Sequence, residues 1–160
     1  MGAPNAIECL LLRPGHAAAL ASFFDDLAVA GDDEFFHPHA GDAAALRAIA
    51  EQAGKDVYLV FVEGEDIRAY GLLRGWNEGY ANPSLGIAVH PAARGSGLGR
   101  MVMEYLEATA RHRGASSVRL RVHADNARAI AMYARRGYAM RPDEGDARLL
   151  VGVKSLGDAR

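Results

Sequence analysis

The stretch Leu85-Gly86-Ile87-Ala88-Val89-His90-Pro91, followed by Arg94-Gly95-Ser96-Gly97-Leu98-Gly99-Arg100, decides the fold of this chain. Its first part is a compact apolar run of strand length that ends at His90-Pro91. Its second part is a glycine-bearing turn that opens the strongest helical pattern in the sequence, over residues 98–113, with Gly114 as the stop. One face of that helix is predicted to be apolar, through Leu98, Met101, Val102, Tyr105, Leu106 and Thr109.

This order of strand, glycine turn and helix predicts an anion site. The first amides of a helix lack intrahelical partners, the helix dipole favours negative charge there, and glycine lets the backbone approach a ligand. Arg94 and Arg100 flank the turn and can add charge-assisted hydrogen bonds. The alternative is a tight turn without a ligand. Three glycines at alternate positions exceed what such a turn needs, since each costs roughly 1 kcal/mol against alanine in a helix.

The spacing of the glycines excludes two common phosphate ligands. A nucleoside triphosphate loop has four residues between its glycines and then Lys-Ser or Lys-Thr, which this turn lacks. A dinucleotide fingerprint needs G-x-G-x-x-G and an acidic residue about twenty positions later. Here the spacing is G-x-G-x-G, and the next strand ends in Arg121-Val122-His123. A nicotinamide-dependent oxidoreductase therefore fits poorly.

Hydrophobic periodicity predicts further strands and helices on both sides of this unit. The predicted strands are 7–13, 57–62, 67–74, 85–89, 118–122, 138–140 and 149–153, and the other predicted helices are 17–28, 42–52 and one that Asp125 caps and Gly137 ends. The order β-α-α-β-β-β-α-β-α-β-β predicts an α/β (α+β) architecture, a mixed sheet with helices on its faces. We expect residues 1–160 to form a single domain.

The composition restricts partners and location. A formal net charge of -2 without a basic stripe argues against a nucleic-acid partner. No apolar run is long enough to span a bilayer and no signal-peptide pattern opens the chain, so we expect no membrane partner. The single cysteine, Cys9, excludes an intrachain disulfide and favours a reducing compartment. The sequence therefore predicts a cytoplasmic protein, as a monomer or homodimer.

Ile87-Ala88-Val89-His90-Pro91, the turn Arg94-Gly95-Ser96-Gly97-Leu98-Gly99, Asn126 and Tyr133 together resemble the GNAT superfamily of N-acetyltransferases. The signature of that family is a strand, an Arg/Gln-x-x-Gly-x-Gly/Ala turn and a helix, then a strand and a helix bearing Asn and Tyr. The match is specific over residues 85–138, while the N-terminal half matches in element order only. The resemblance implies a mostly antiparallel sheet of about seven strands, splayed at the cofactor strand, with about four helices. It also implies acetyl-CoA as co-substrate and no metal.

The resemblance implies a role for each matching residue. Amides of the strand residues Ile87 and Val89 would pair with the pantetheine arm like an added strand, and one would polarise the thioester carbonyl. Amides of the turn would bind the pyrophosphate, Asn126 would bond the pantetheine, and Tyr133 would protonate the departing thiolate. Two alternatives remain: Asn126 shares the capping of its helix, or Tyr133 is an ordinary core aromatic. The implied cofactor set is Ile87, Ala88, Val89, Arg94, Gly95, Ser96, Gly97, Leu98, Gly99, Arg100, Asn126 and Tyr133.

The sequence does not identify the residue that acts as the general base. An amine of pKa ~10 must lose a proton before it attacks, and family members use a carboxylate, a histidine or a water chain. In the ribosomal-protein alanine acetyltransferases a carboxylate lies five residues before the Asn, whereas this chain has Arg121 there. That departure weakens the case for the substrate and mechanism of that subgroup. The candidate bases lie in two loops and are Glu78, Asp33, Glu34, His37 and His39, of which Glu78, His37 and His39 are taken as catalytic.

Phe35, Phe36 and His123 are expected to line the acceptor pocket. The alternatives are a solvated charge at Glu78 and a loop that the two phenylalanines merely anchor. A metal site at His37 and His39 lacks a third ligand at recognisable spacing. The sequence thus predicts an acetyl-CoA-dependent N-acetyltransferase acting directly on a primary amine of a small molecule or peptide. A catalytically silent acyl-CoA-binding or sensing module is the alternative, and the loops 31–41 and 75–83 match no substrate signature.

Overall fold

A computed structural model describes residues 6–31 and 38–157 of the chain. Within those residues the strands and helices follow one another in the predicted order. The strands are β1 Ile7–Leu11, β2 Val57–Glu63, β3 Asp66–Arg74, β4 Ser84–Val89, β5 Ser117–His123, β6 Ala139–Pro142 and β7 Leu149–Ser155; the helices are α1 Ala17–Val29, α2 Ala43–Glu51, α3 Leu98–His112 and α4 Ala127–Arg135. Two short 3-10 turns lie at Pro14–His16 and Pro91–Ala93. The first strand is shorter than predicted because Arg13 already caps the 3-10 turn.

All seven strands form one sheet in the order β1-β2-β3-β4-β5-β7-β6. Each neighbouring pair is antiparallel except β4 and β5, which run parallel. The β2–β3 hairpin closes over Gly64-Glu65, with Glu63 opposite Asp66. The expected mixed, mostly antiparallel sheet is therefore confirmed.

The sheet opens between β4 and β5. Strand β4 pairs with β3 from Ser84 to Val89 but with β5 through the single pair Ser84–Arg119. The amide of Arg119 donates to the Pro83 carbonyl at 3.2 Å, and beyond this point the two strands diverge. We call the space between them the gap. It confirms the splayed sheet that the family resemblance implies.

Helices cover both faces of the sheet, and the sheet separates two hydrophobic cores. Helix α3 packs against one face, where Leu106 belongs to the same buried core as Leu85, Val118 and Leu120. Helices α1 and α2 cover the other face, where Tyr70 and Leu72 are buried. Among the described helices, none is both long and apolar enough to cross a membrane.

The buried face of α3 differs from the predicted one. Met101 and Tyr105 are 40% and 47% exposed. The buried residues of this helix are Leu98, Val102, Met103, Leu106, Glu107 and Ala110. Apolar residues flank the stripe on both sides, so periodicity alone did not fix the rotation of the helix. The polar residue Glu107 is turned inward because it has partners there.

Glu107 is the centre of a buried charge network. Its carboxylate accepts from Lys154 Nζ at 2.7 Å, from Arg136 Nη2 at 3.0 Å and from the Tyr138 hydroxyl at 3.2 Å. Burial raises the pKa of Glu107, but the hydrogen bonds from Arg136 and Lys154 outweigh it and hold that pKa below its ordinary value. The network ties α3 to the end of α4 and to β7.

Candidate active site

The glycine turn has the backbone that an anion site requires. Gly97 is the N-cap of α3 with φ +85°, and Gly95 has φ +77°, a region that favours glycine. A Cβ at either position would meet nothing within 4 Å, so conformation rather than crowding demands glycine here. Gly99 lies inside the helix, where a Cβ would make an ordinary 3.5 Å contact with Val89.

The helix start leaves amides available at this turn. Met101 donates to the Gly97 carbonyl at 3.2 Å, the first bond of the helical ladder. The amides of Leu98, Gly99 and Arg100 precede it and have no intrahelical partner. The side chains are engaged locally, since Ser96 Oγ donates to the Ala93 carbonyl and Arg100 Nε pairs with Glu104 at 3.0 Å. We call residues 94–100 the cradle, and its anion-binding capacity comes from backbone amides and the helix dipole.

Strand β4 presents amides to the gap. The amide of His90 donates to the Arg68 carbonyl on β3 at 2.8 Å. Successive amides along a strand alternate in direction, so Ala88 also faces β3, while Ile87 and Val89 face the gap. The expected Ala88 contact therefore cannot come from its amide, although Ala88 does line the cleft. The amides of Ile87 and Val89 can pair with an extended ligand.

One cleft of about 1060 Å³ joins the gap to the cradle. Its lining includes most of the predicted cofactor residues and His123. Ser96, Leu98, Glu78 and His39 are outside the lining, and the Leu98 side chain is buried beneath α3. The predicted residues that do line it are Ile87, Ala88, Val89, Arg94, Gly95, Gly97, Gly99, Arg100, His123, Asn126 and Tyr133.

Tyr133 lines this cleft from α4. Its side chain is 7% exposed, its ring packs against Tyr138 with centroids 5.8 Å apart, and burial raises its pKa to about 12. No residue in the described part of the chain hydrogen-bonds its hydroxyl. The phenol is therefore protonated at neutral pH and can donate into the cleft.

Asn126 rather than Asp125 caps α4. Asn126 Oδ1 accepts from the Ala129 amide at 3.2 Å, which is the capping role that sequence reasoning kept as an alternative. The side chain of Asp125 is 83% exposed and lies 3.7 Å from His123 Nδ1 instead. Because the cap uses only the oxygen of Asn126, its amide nitrogen is left as a donor beside the cleft.

Of the predicted loop bases, the two that the structure describes, Glu78 and His39, do not line the cleft. Glu78 is exposed in the loop after β3. His39 Nδ1 donates to the Ala40 carbonyl and its Nε2 accepts from the Tyr70 hydroxyl, each at 2.8 Å. Burial lowers the pKa of His39. Since both of its nitrogens are occupied, His39 anchors its loop against Tyr70. The other candidates, Asp33, Glu34, Phe35, Phe36 and His37, lie outside the described residues.

The far wall of the gap is basic. Arg119, Arg121 and His123 alternate along β5 with buried residues and project from the face that α1 and α2 cover elsewhere. His123 Nδ1 accepts from the Asp125 amide at 3.2 Å. No aspartate or glutamate is found among the described residues that line the cleft. His123 is the one histidine in that described lining.

Arg121 stands where sequence analysis placed the carboxylate of the ribosomal-protein alanine acetyltransferases, and it forms an ion pair. Its Nη2 lies 2.9 Å from Asp143 Oδ2. Backbone amides of Gly145 and Asp146, together with Arg121, hold the pKa of Asp143 below its ordinary value. Asp143 therefore holds Arg121 in an ion pair and is itself outside the cleft lining.

Sequence reasoning missed Arg74, Ser84 and Arg119, which all line the cleft. The alternation of arginine with apolar residues along β5 was a usable signal for Arg119. Nothing in the sequence indicated that Arg74 and Ser84 lie beside it. No group of three or more His, Cys, Asp or Glu side chains in residues 6–31 and 38–157 is placed to hold a metal ion.

Comparison with known proteins agrees with this geometry. Residues 20–138 match the model of the Acetyltransferase (GNAT) family. Acetyltransferase SG1711 of Sodalis glossinidius (strain morsitans) is 32% identical over 104 residues, which are 64% of this chain and 68% of that one.

Two solved structures are similar in fold. The ribosomal-protein-S18-alanine N-acetyltransferase of Escherichia coli superposes with a TM-score of 0.73 at 18% identity, covering 97% of each chain. The structure of yncA from Salmonella typhimurium with its cofactor acetyl-CoA gives 0.76 at 21% identity, covering 97% of this chain and 96% of that one.

The chain belongs to the acetyltransferase (GNAT) family. It is an acyltransferase, which confirms the family and the enzyme class predicted from the glycine turn, Asn126 and Tyr133.

Proposed function

We propose that residues 1–160 act as one N-acetyltransferase domain that moves an acetyl group from acetyl-CoA directly to the primary amine of a small molecule or peptide. One observation carries the proposal. The left-handed glycines of the cradle, the gap-facing amides of Ile87 and Val89, and the hydroxyl of Tyr133 all meet in one cleft. That succession suits a ligand with a pyrophosphate at one end and an extended arm at the other.

The residues of this cleft fit coenzyme A. Amides of the cradle would hold the pyrophosphate, and the amides of Ile87 and Val89 would hold the pantetheine as an added strand. The Asn126 amide nitrogen would donate to a pantetheine carbonyl. When bound, acetyl-CoA supplies an activated thioester. An amide of β4 would stabilise the negative charge that develops on the thioester oxygen.

Tyr133 would donate a hydrogen bond to the departing sulfur. A thiol has a pKa of ~8.5, below the pKa of about 12 of this phenol. Hydrogen-bond donation is therefore favoured over the complete proton transfer that the family resemblance implied. The attacking amine would lose its proton to water, because His123 Nδ1 already accepts from the Asp125 amide and the neutral ring therefore carries its proton on Nε2.

The experiment is an acceptor screen. The purified protein is incubated with acetyl-CoA and amino acids, polyamines, aminoglycosides or peptides, and thiol release is measured with acetylated product. We expect turnover with at least one amine class and binding of coenzyme A by calorimetry. Tight binding of coenzyme A without turnover on any amine would support the silent acyl-CoA-binding module instead.

The remaining expectations rest on composition and family resemblance. We propose a cytoplasmic enzyme that needs no metal and works as a monomer or homodimer. Light scattering on the purified protein tests the oligomeric state. Full activity in the presence of a chelator tests the metal-free reaction.

A further inference from the structure

Three polar residues lie side by side at the closed end of the gap. Arg74 on β3 is opposite Ser84 on β4, and Ser84 is opposite Arg119 on β5. Residues paired across strands project from the same face of a sheet. Arg74 and Arg119 therefore lie on the same sheet face, one on each side of Ser84, and all three residues line the cleft.

Neither guanidinium is neutralised by the described part of the chain. Arg119 is exposed, and no ion pair joins it to a described carboxylate. Arg74 is half-buried, its Nη1 donates to the Pro38 carbonyl at 2.7 Å and its guanidinium also hydrogen-bonds the Tyr58 hydroxyl, but no ion pair joins it to a described carboxylate. Arg121, two residues further along β5, has Asp143 at 2.9 Å. The closed end of the gap thus carries positive charge that a ligand can neutralise.

This charge is remote from the cradle. Strand β4 reaches the cradle through its C-terminal end, after Val89, whereas Ser84 is its first residue. At about 3.3 Å per residue, Ser84 lies roughly 10 Å before Ile87, on the side away from the cradle. A cofactor whose pyrophosphate occupies the cradle therefore leaves Arg74 and Arg119 for the other substrate.

We propose that the acceptor carries an anionic oxygen group, a carboxylate or a phosphate, in addition to its amine, and that Arg119, Arg74 and Ser84 bind that group. The inference rests on the proposed function and names its substrate class. Guanidinium groups bind carboxylate and phosphate oxygens through paired hydrogen bonds, and a serine hydroxyl can add a third. Acceptors with several positive charges would meet a cleft without a described carboxylate, so they are disfavoured.

Matched pairs of acceptors test the proposal. Amino acids are compared with their methyl esters, and aminoalkyl phosphates with the corresponding amino alcohols, by kcat/KM for thiol release at saturating acetyl-CoA. We expect the anionic member of at least one pair to be preferred by about tenfold or more. The two arms distinguish carboxylate from phosphate.

Variants then assign the preference to the arginines. Arg119→Ala should lower kcat/KM for the anionic acceptor by about 10- to 100-fold, leave its neutral partner within about threefold, and leave coenzyme A affinity unchanged. Arg119→Lys should keep part of the preference, and Ser84→Ala should reduce it several-fold. The control is Arg141→Ala, since Arg141 is exposed on the same sheet face but outside the cleft lining, and it should change nothing.

The outcomes are distinct. Equal use of anionic and neutral acceptors, or an equal effect of Arg119→Ala on both, overturns this inference and leaves the proposed function standing. A preference that survives in both Arg119→Ala and Ser84→Ala also overturns it. Binding of coenzyme A without transfer to any amine overturns the proposed function and this inference with it.

Discussion

Tyr133 is a buried phenol with a hydroxyl that no described residue occupies, and Tyr133→Phe isolates that hydroxyl. We expect kcat/KM to fall by about 10²-fold, because one preorganised donor to developing negative charge is lost. The affinity for coenzyme A should stay within about twofold, since the ring and its packing against Tyr138 remain. Stopped-assay thiol release and calorimetry measure the two quantities.

The control for Tyr133 is Tyr105→Phe. Tyr105 lies on α3, outside the cleft lining, with 47% of its surface exposed. It should keep full activity. A Tyr133→Phe enzyme that also turns over at the normal rate would remove Tyr133 from the reaction and leave it as a core aromatic.

Asn126 has two roles that substitution can separate. Serine keeps the oxygen that caps α4 but lacks the amide nitrogen, whereas alanine lacks both. We expect both variants to weaken coenzyme A binding by up to about tenfold. Only Asn126→Ala should also lower the free energy of unfolding, by about 1 kcal/mol. Calorimetry and urea denaturation measure these effects, and unchanged binding in both variants would reduce Asn126 to a cap.

At the scale of elements, the turn into α3 can be tested against the turn that ends it. Gly97 and Gly114 have φ +85° and +89°, and a Cβ at either would meet nothing within 4 Å. Alanine at each position should therefore cost a similar amount of stability, about 1 kcal/mol. Only Gly97→Ala should weaken coenzyme A binding, by about tenfold, because a relaxed turn moves the cradle amides.

The measurements are thermal unfolding and coenzyme A calorimetry on both variants. Gly114→Ala provides the same strain on the same helix, away from the cleft. If both variants bind coenzyme A equally well, the helix start does not hold the pyrophosphate.

The strands and helices could be predicted from the sequence because the residue patterns that define them are local. The strand, the glycine turn and the stop at Gly114 lie within one stretch of chain, and they predicted β4, the cradle and α3. Which face of α3 is buried could not be predicted, because Glu107 is turned inward by its ion pairs with Arg136 and Lys154, which are distant in sequence. Capping was ambiguous for a related reason, since neighbouring Asp125 and Asn126 are both good N-caps.

At the scale of the whole molecule, the Glu107 network joins three elements and makes stability depend on pH. The pKa of Glu107 is lowered in the folded protein, so its contribution is present above the ordinary carboxyl pKa and is lost as pH falls through the folded value. Glu107→Gln should lower the free energy of unfolding by about 2 kcal/mol near pH 7. The difference from the unaltered protein should shrink at an acidic pH near or below the folded pKa of Glu107.

Urea denaturation at both pH values checks this prediction. Glu104→Gln is the control, because Glu104 lies on the same helix and near the same Arg136 but is exposed, with 53% of its side chain accessible. It should produce a much smaller change. A pH-independent effect of Glu107→Gln would mean that packing, not charge, explains its burial.

The arrangement of the residues on the acceptor side of the site could not be predicted from the sequence. Arg74, Ser84 and Arg119 come from three strands, and only the register of the sheet makes them neighbours. His39 carried a plausible base signal in its loop, but its burial against Tyr70 depends on a strand 31 positions away. Roles that depend on neighbouring residues were predicted, whereas roles that depend on pairing between distant strands required the fold.

The gap between β4 and β5 also bears on solubility. Unpaired strand borders normally template pairing with other chains and so promote aggregation. In this protein the unpaired amides of Ile87 and Val89 lie inside the sheet, where β5 and the start of α4 stand opposite them. A second polypeptide strand would bring side chains at every residue between β4 and β5, whereas a pantetheine arm carries only a few small substituents. The exposed hydrogen-bonding groups of β4 therefore suit a small extended ligand better than a strand from a second copy of the chain.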